Sequence, residues 1–258
     1  MKKLCFLGVR VDAIQLNEAI NELEKKLIIF TPNPEMILEA RRNKKLLLAL
    51  NEGTLMLPDG HGLKFVATMM KIKSKFLRVI LYFPALMLFL FWKGFFKNEI
   101  SEMIHGSDFM SLVVSWAEVN GKSVFFLGGK DEVAKKTAEY FKLSHPLLKI
   151  AGYSSENPNK NALKEVKESN AEVILVAYGV PKQEIWIAEN FKKIKSCKII
   201  MGVGGSFDFW SGEIRRSPMI LRKLGLEWFW RLILQPKTRL KRIWNALVVF
   251  PFTCFFSD

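Results

Sequence analysis

Asp59 stands between a proline and a glycine in Pro58-Asp59-Gly60-His61-Gly62, directly after the apolar run at residues 54–57. A carboxylate at the carboxyl end of a strand is where α/β proteins place their ligand contacts, although an Asp there also caps the helix that follows. Thr31-Pro32-Asn33-Pro34-Glu35 closes an earlier apolar run. Pro34 suits the first turn of a helix and Asn33 its N-cap, so Asn33 is either a cap or a ligand contact, and Thr31 is either site or turn. Leu127-Gly128-Gly129-Lys130-Asp131 joins a strand to a helix through two glycines, a pattern that lets backbone amides approach a phosphate at a helix N-terminus. Tyr178-Gly179-Val180-Pro181-Lys182-Gln183-Glu184 and Gly202-Val203-Gly204-Gly205-Ser206-Phe207-Asp208 are two more glycine-bearing turns after apolar strands.

The negative evidence narrows the chemistry. The glycine turns contain neither the GxxxxGK[ST] of a P-loop nor the GxGxxG of a dinucleotide site, so neither an ATPase nor a nicotinamide enzyme is supported. His61 is one of 3 histidines and has no partner at metal-ligand spacing, which argues against zinc. The 3 cysteines, Cys5, Cys197 and Cys254, are widely spaced and read as apolar filler in a reducing compartment.

These loops need a frame. Apolar runs at residues 4–9, 28–31, 54–57, 124–127, 148–153, 173–177 and 198–203 predict strands. Helical periodicity follows at 16–27, 34–50, 132–143, 162–168 and 181–191. Strands alternating with helices predict a Rossmann-like α/β fold with a mostly parallel sheet flanked by helices. Such a sheet gathers its strand-end loops along one edge. The chain of 258 residues is long enough for this core. Residues 1–212 are expected to form the α/β domain and 213–258 a basic amphipathic helical appendage.

Two segments depart from the alternation. Residues 75–96 read KFLRVILYFPALMLFLFWKGFF, with no charge from Val79 to Trp92. The run is shorter than the ~20 residues a spanning helix needs, and Pro84 is expected to kink or end a helix. A segment lying in a membrane interface is expected here, within an insertion at about 74–98, with a buried core helix as the alternative. From Ile214 onward, arginines and lysines interleave with Trp and Leu, which suits an amphipathic surface meeting anionic lipid, or else a solvated basic face. The apolar tail at 248–256 is expected to contact a membrane or partner. With a formal charge of +14, an anionic partner is expected. No nucleic-acid-binding module is recognisable, so lipid or a diphosphate is favoured over nucleic acid. The N-terminal apolar run is interrupted by Arg10 and Asp12 too early for a signal peptide, so a cytoplasmic location is expected.

The ordered set TPNPEMI, PDGHG, VFFLGGK, GVPKQEIW, GVGGSFDFWSGEIRRSP and LGLEWFWRL followed by QPKTRLKR resembles the WecG/TagA/CpsF family of glycosyltransferases (family 26). The likeness covers nearly the whole chain apart from residues 71–99. The resemblance implies an inverting transferase that moves N-acetylmannosamine or a related sugar from a UDP donor to a sugar on a polyprenyl diphosphate. The setting is cell-surface polysaccharide or teichoic acid assembly, at the cytoplasmic face of a bacterial inner membrane, the protein being peripheral or monotopic. No cofactor or divalent metal is implied, and the sequence has no DXD motif.

Position by position, the resemblance makes Asp59 the general base that deprotonates the acceptor hydroxyl, with Thr31 and Asn33 near the reacting sugar. It makes Gln183 an amide placed to hydrogen-bond the donor. Gly128, Gly129, Gly179, Gly204 and Gly205 would admit the nucleotide, and Asp208 would hold a loop or a sugar hydroxyl. Among the C-terminal arginines, Arg215, Arg216, Arg222, Arg231, Arg239 and Arg242 would clamp the acceptor diphosphate or meet the membrane. One departure stands out. Where the family usually reads ERVTGSD, this chain has Glu102-Met103-Ile104-His105-Gly106-Ser107-Asp108, so Met103 replaces an arginine. If that arginine neutralises the leaving UDP, the alternative is a weak or inactive family member acting as a membrane-bound assembly partner. A homo-oligomer is a further expectation, since apolar surface must be covered.

Overall fold

A computed structural model describes residues 2–91, 96, 98–214, 230, 232–233 and 236–257, without the side chains of 90, 91 and 237–239. Its centre is a six-stranded sheet in which every recorded pairing is parallel. In chain order these strands are β3 (Leu27–Phe30), β4 (Leu55–Met56), β5 (Ser123–Gly128), β6 (Lys149–Ser154), β7 (Val173–Ala177) and β8 (Ile199–Gly202). Across the sheet the order is β4-β3-β8-β7-β5-β6. β3, β7 and β8 are buried along their whole length, which is why they read as unbroken apolar runs: a parallel sheet is covered on both faces.

Side chains alternate between the two covering layers. Ile28 and Phe30 of β3 join one apolar cluster and Leu27 and Ile29 the other. The first layer holds α2 (Pro34–Arg42), α3 (Lys44–Asn51), α4 (His61–Met69), α8 (Lys160–Glu168) and α9 (Lys182–Asn190). The second holds α1 (Leu16–Asn21), α6 (Gly106–Val119), α7 (Val133–Ser144) and the short α10 (Ser206–Trp210). The helices that follow the neighbouring strands β3 and β8 therefore lie on opposite faces. Open α/β sheets place their ligand crevice at the carboxyl edge where helices diverge in this way.

Several sequence expectations change in detail. The run at 4–9 is not one strand of this sheet. It turns at Leu7-Gly8, both in the left-handed region, between β1 (Lys2–Phe6) and β2 (Val9–Ala13), which pair antiparallel as a separate hairpin. Buried Asp12 docks that hairpin by accepting from Met56 N at 2.9 Å, while Arg10 donates to the carbonyls of Gly53 and Thr54. The helical stretch at 34–50 is two helices. Asn43 sits extended between them, and its Oδ1 accepts from Lys45 N and Leu46 N to start α3. The helix expected without bounds after the Asp59 loop is α4, and α6 was not foreseen. Each begins at a glycine-containing loop, and α6 continues through a stretch whose apolar side faces the sheet.

Within the segment expected as an insertion at about 74–98, α5 (Lys75–Phe91) is a helix that runs through Pro84 rather than ending there, while 92–95 and 97 lie outside the described residues. Packing on both sides of the proline holds it: Tyr82, Leu86 and Phe89 are buried in the first apolar layer. Among the described residues, no helix is long and apolar enough to cross a membrane. The C-terminal tail also finds its partner within the chain. After α11 (Pro236–Trp244) and a π-helical turn at Asn245–Val249, α12 (Phe250–Phe256) buries Phe250, Cys254 and Phe255. Tyr82 and Phe255 meet edge to face at 6.3 Å, and the tilted rings of Phe6 and Phe250 lie 6.0 Å apart. Phe250, Cys254 and Phe255 of this tail, expected to contact a membrane or partner, are covered within the chain by α2, α4 and α5, while Phe256 stays exposed.

Candidate active site

The carboxyl ends of β3 and β4 bring Thr31 and Asp59 to the same place. Asp59 N donates to the carbonyl of Pro32 at 3.1 Å, tying the two loops together. Gly60 (φ +95) then reverses the chain into α4, and a Cβ there would press on Pro34 at 3.4 Å, in a backbone region that L side chains avoid. From the other side, Ile104 N donates to the carbonyl of Pro58 at 3.0 Å, which lays the segment before α6 along the Asp59 loop. The next residue is His105, and its Nδ1 lies 3.2 Å from Asp59 Oδ1. Both side chains are partly open to solvent, at 42% and 29%. Gly106 follows against Thr31, whose Oγ1 would lie 3.1 Å from a Cβ at that position.

Asn33 is committed locally. Its Oδ1 accepts from Met36 N at 3.0 Å and caps α2, so of the readings open in the sequence the cap is the one seen. Gln183 is also committed. It is buried on α9, and its Oε1 accepts from Gly204 N at 2.9 Å and Gly179 N at 3.2 Å. Its Nε2 donates to Glu184 Oε1 at 2.6 Å. The resemblance offers this amide to the donor; the structure spends its described hydrogen bonds on clamping the two glycine turns after β7 and β8. Glu184 is fully buried, and desolvation raises its carboxyl to about 7.

On the next strands the turn after β5 completes the edge. Gly128 (φ +94) approaches Tyr178 so closely that a Cβ would lie 2.8 Å from the ring and 3.0 Å from the Ala177 carbonyl carbon. Beyond it a cavity of about 410 Å³ is lined by Lys130, Asp131, Val133, Lys136, Asp208 and Glu213 among others. Burial raises the carboxyl of Asp208, with Glu213 adding to the shift and Lys130 opposing it. Lys136 is paired with Glu213 at 2.6 Å. A larger depression of about 800 Å³ lies between α8 and α9, lined by Lys160, Lys164, Trp186 and Glu189 among others, with none of the Asp59-loop residues. Chemistry at the strand ends therefore belongs to a continuous edge. Thr31, Asp59 and His105 stand at β3 and β4, the clamped glycines at β7 and β8, and the small cavity beside β5.

A profile of the Glycosyl transferase WecG/TagA/CpsF family matches residues 4–87 and 79–257 of this chain. The chain belongs to that family. The two matched parts meet within α5, the segment that the motifs leave out. Among its relatives, an N-acetylglucosaminyldiphosphoundecaprenol N-acetyl-beta-D-mannosaminyltransferase of Bacillus subtilis (strain 168) is 30% identical over 230 residues, covering 86% of this chain and 79% of the relative. An enzyme of the same name from Staphylococcus aureus (strain MRSA252) is 28% identical over 253 residues, covering 93% and 89%.

His105, which sequence reading passed over, occupies the threonine position of the ERVTGSD pattern; the signal available was that substitution beside a candidate base. Met103, in the arginine position, is partly buried against the apolar cluster containing Phe65, Phe89 and Phe96. Arg215, Arg216, Arg222 and Arg231 lie outside the described residues, and Arg239 is described only as backbone within α11. Arg242 is described: its Nε pairs with Glu35 Oε2 in the first turn of α2, joining α11 to the loop that carries Thr31 and Asn33.

Proposed function

We propose that this protein transfers N-acetylmannosamine, or a closely related hexose derivative, from a UDP-sugar to the sugar of a polyprenyl-diphosphate acceptor. The observation that carries the reading is Asp59, partly exposed at the strand-end edge in contact with His105 and adjoining Thr31, in a chain of this family. In the proposed reaction the acceptor hydroxyl attacks the anomeric carbon of the donor. Its proton passes to the Asp59 carboxylate, a transfer that contributes typically ~10²–10⁴-fold in rate. The bond to UDP breaks as the new glycosidic bond forms. His105 holds the Asp59 carboxylate in one orientation. The names of the relatives specify a β linkage; from an α-linked donor the proposed single displacement would give that linkage by inversion.

The leaving diphosphate needs charge neutralisation without a metal, and the sequence offers no DXD motif to hold one. With Gly204 N held by Gln183 and Gly129 N by the Ala177 carbonyl, the Gly205 amide and the C-terminal arginines are the groups proposed to supply it. A polyprenyl acceptor confines the work to a membrane surface, proposed to be the cytoplasmic face of a bacterial inner membrane. The test is turnover of a panel of UDP-sugars with an undecaprenyl-diphosphate-GlcNAc analogue in the presence of EDTA. Transfer from one donor that survives EDTA supports the proposal. Absence of both transfer and nucleotide binding would overturn it.

A further inference from the structure

The helix α5 is turned inside out relative to an ordinary surface helix. Its one charged residue after Lys75, Arg78, is buried, with Nε donating to the carbonyl of Ile72 at 2.7 Å and Nη2 to that of Met70 at 3.4 Å, where α4 ends. The inward stripe continues with Tyr82, Leu86 and Phe89. The outward face is apolar throughout: Phe76, Leu77, Ile80, Leu81, Phe83 and Leu88 are all exposed, Phe76 at 72% and Phe83 at 66%. A contiguous apolar face on a soluble protein marks something that covers it.

We infer that the outward face of α5 lies in the interfacial zone of an anionic bilayer and is this chain's own membrane-docking element. Charge decides between lipid and a second copy. Between Asp59 and Glu99 the sequence contains no acidic residue, and lysines stand at both ends of the apolar run, Lys73 and Lys75 before it and Lys93 and Lys97 after it. Pairing with a second copy, parallel or antiparallel, brings lysine ends against lysine ends with no acid on the segment to answer them. Anionic headgroups answer both ends, while the Phe and Leu side chains enter the acyl boundary. Among the described residues no helix is long and apolar enough to cross a membrane, and the inferred placement of α5 is along the interface.

The docked helix also sets where the site sits, an extension that rests on the transferase reading above. α5 runs antiparallel along α4. Arg78 meets the end of α4, and Phe89 meets His61 at its start, with ring centroids 6.4 Å apart. The carboxyl end of α5 therefore adjoins the Asp59 loop. A polyprenyl-linked diphosphate lies at headgroup depth, so a helix lying at that depth brings the Asp59 end of the crevice to its acceptor.

The experiment is co-sedimentation of the full chain with vesicles of phosphatidylcholine alone or with phosphatidylglycerol, without donor or acceptor, so that its outcome is independent of transfer. The expected result is that Ile80→Glu/Phe83→Glu lowers partitioning onto phosphatidylglycerol vesicles at least tenfold, with the thermal midpoint and the mass in solution unchanged. Lys73→Glu/Lys75→Glu, which leaves the apolar face intact, is expected to lower it several-fold on phosphatidylglycerol vesicles only. Unchanged partitioning of the first variant would overturn the inference. So would a wild-type dimer that ignores vesicles and dissociates in that variant, which would make the occupant a second copy.

Discussion

Asp59 Oδ1 and His105 Nδ1 lie 3.2 Å apart, although they are separated by the whole of α4 and α5 in the chain. The contact depends on the main-chain bond from Ile104 N to the Pro58 carbonyl, which sets His105 beside the carboxylate. For the proposed reaction, Asp59→Asn removes the proton acceptor while keeping shape. It is expected to lower kcat by about 10²–10⁴-fold with donor KM little changed, measured by UDP release. His105→Gln is expected to lower kcat by roughly tenfold, since it disturbs only the orientation of the base.

The clamp formed by Gln183 offers a stability measurement. Gln183→Ala leaves Gly179 N and Gly204 N without their side-chain acceptor and Glu184 without its donor. Leaving a buried polar group unpaired costs about 1–3 kcal/mol, so the thermal midpoint is expected to fall by several degrees. Donor KM is expected to rise as the two turns loosen.

Glu184 predicts a pH dependence of stability with an unusual sign. Burial raises its folded-state carboxyl to about 7 from an ordinary 4.5. Between those values the folded chain binds the proton more tightly than the unfolded chain, so stability falls as pH rises through that window and levels off above about 7. The loss amounts to roughly 3 kcal/mol at ~1.4 kcal/mol per pH unit. Glu184→Gln is expected to flatten this profile and be the more stable protein at pH 8, read from urea unfolding at a series of pH values.

Tyr82 links α5 to the C-terminal end by donating its hydroxyl to the carbonyl of Leu247. Ala246, one residue earlier, lies against Gly62, where a Cβ would meet the Ala246 carbonyl oxygen at 3.1 Å. Tyr82→Phe keeps the ring contacts with Phe65 and Phe252 and removes one hydrogen bond, at a net cost of about 1 kcal/mol. The expected signature in hydrogen exchange is faster exchange confined to residues 245–256.

The parallel α/β frame was legible in the sequence because strands buried on both faces must be apolar throughout, as β7 and β8 are. Asp59, Thr31 and the glycine turns were legible as strand-end residues for the same reason: once the strands are placed, their carboxyl ends share an edge. The ordered motifs then identified the family. What local pattern does not encode is who meets whom across the sheet. The partnership of Asp59 with His105, the reach of Gln183 across to Gly204, and the burial of the 250–256 tail against α5 are each made by residues far apart in sequence. The composition of α5 showed that it must bury apolar surface. Only its packing against α4 and the C-terminal helix decided which stripe turned inward, because Tyr82, Leu86 and Phe89 fit that cleft and Arg78 reaches the open carbonyls at the end of α4. The remaining apolar face was thereby left pointing outward.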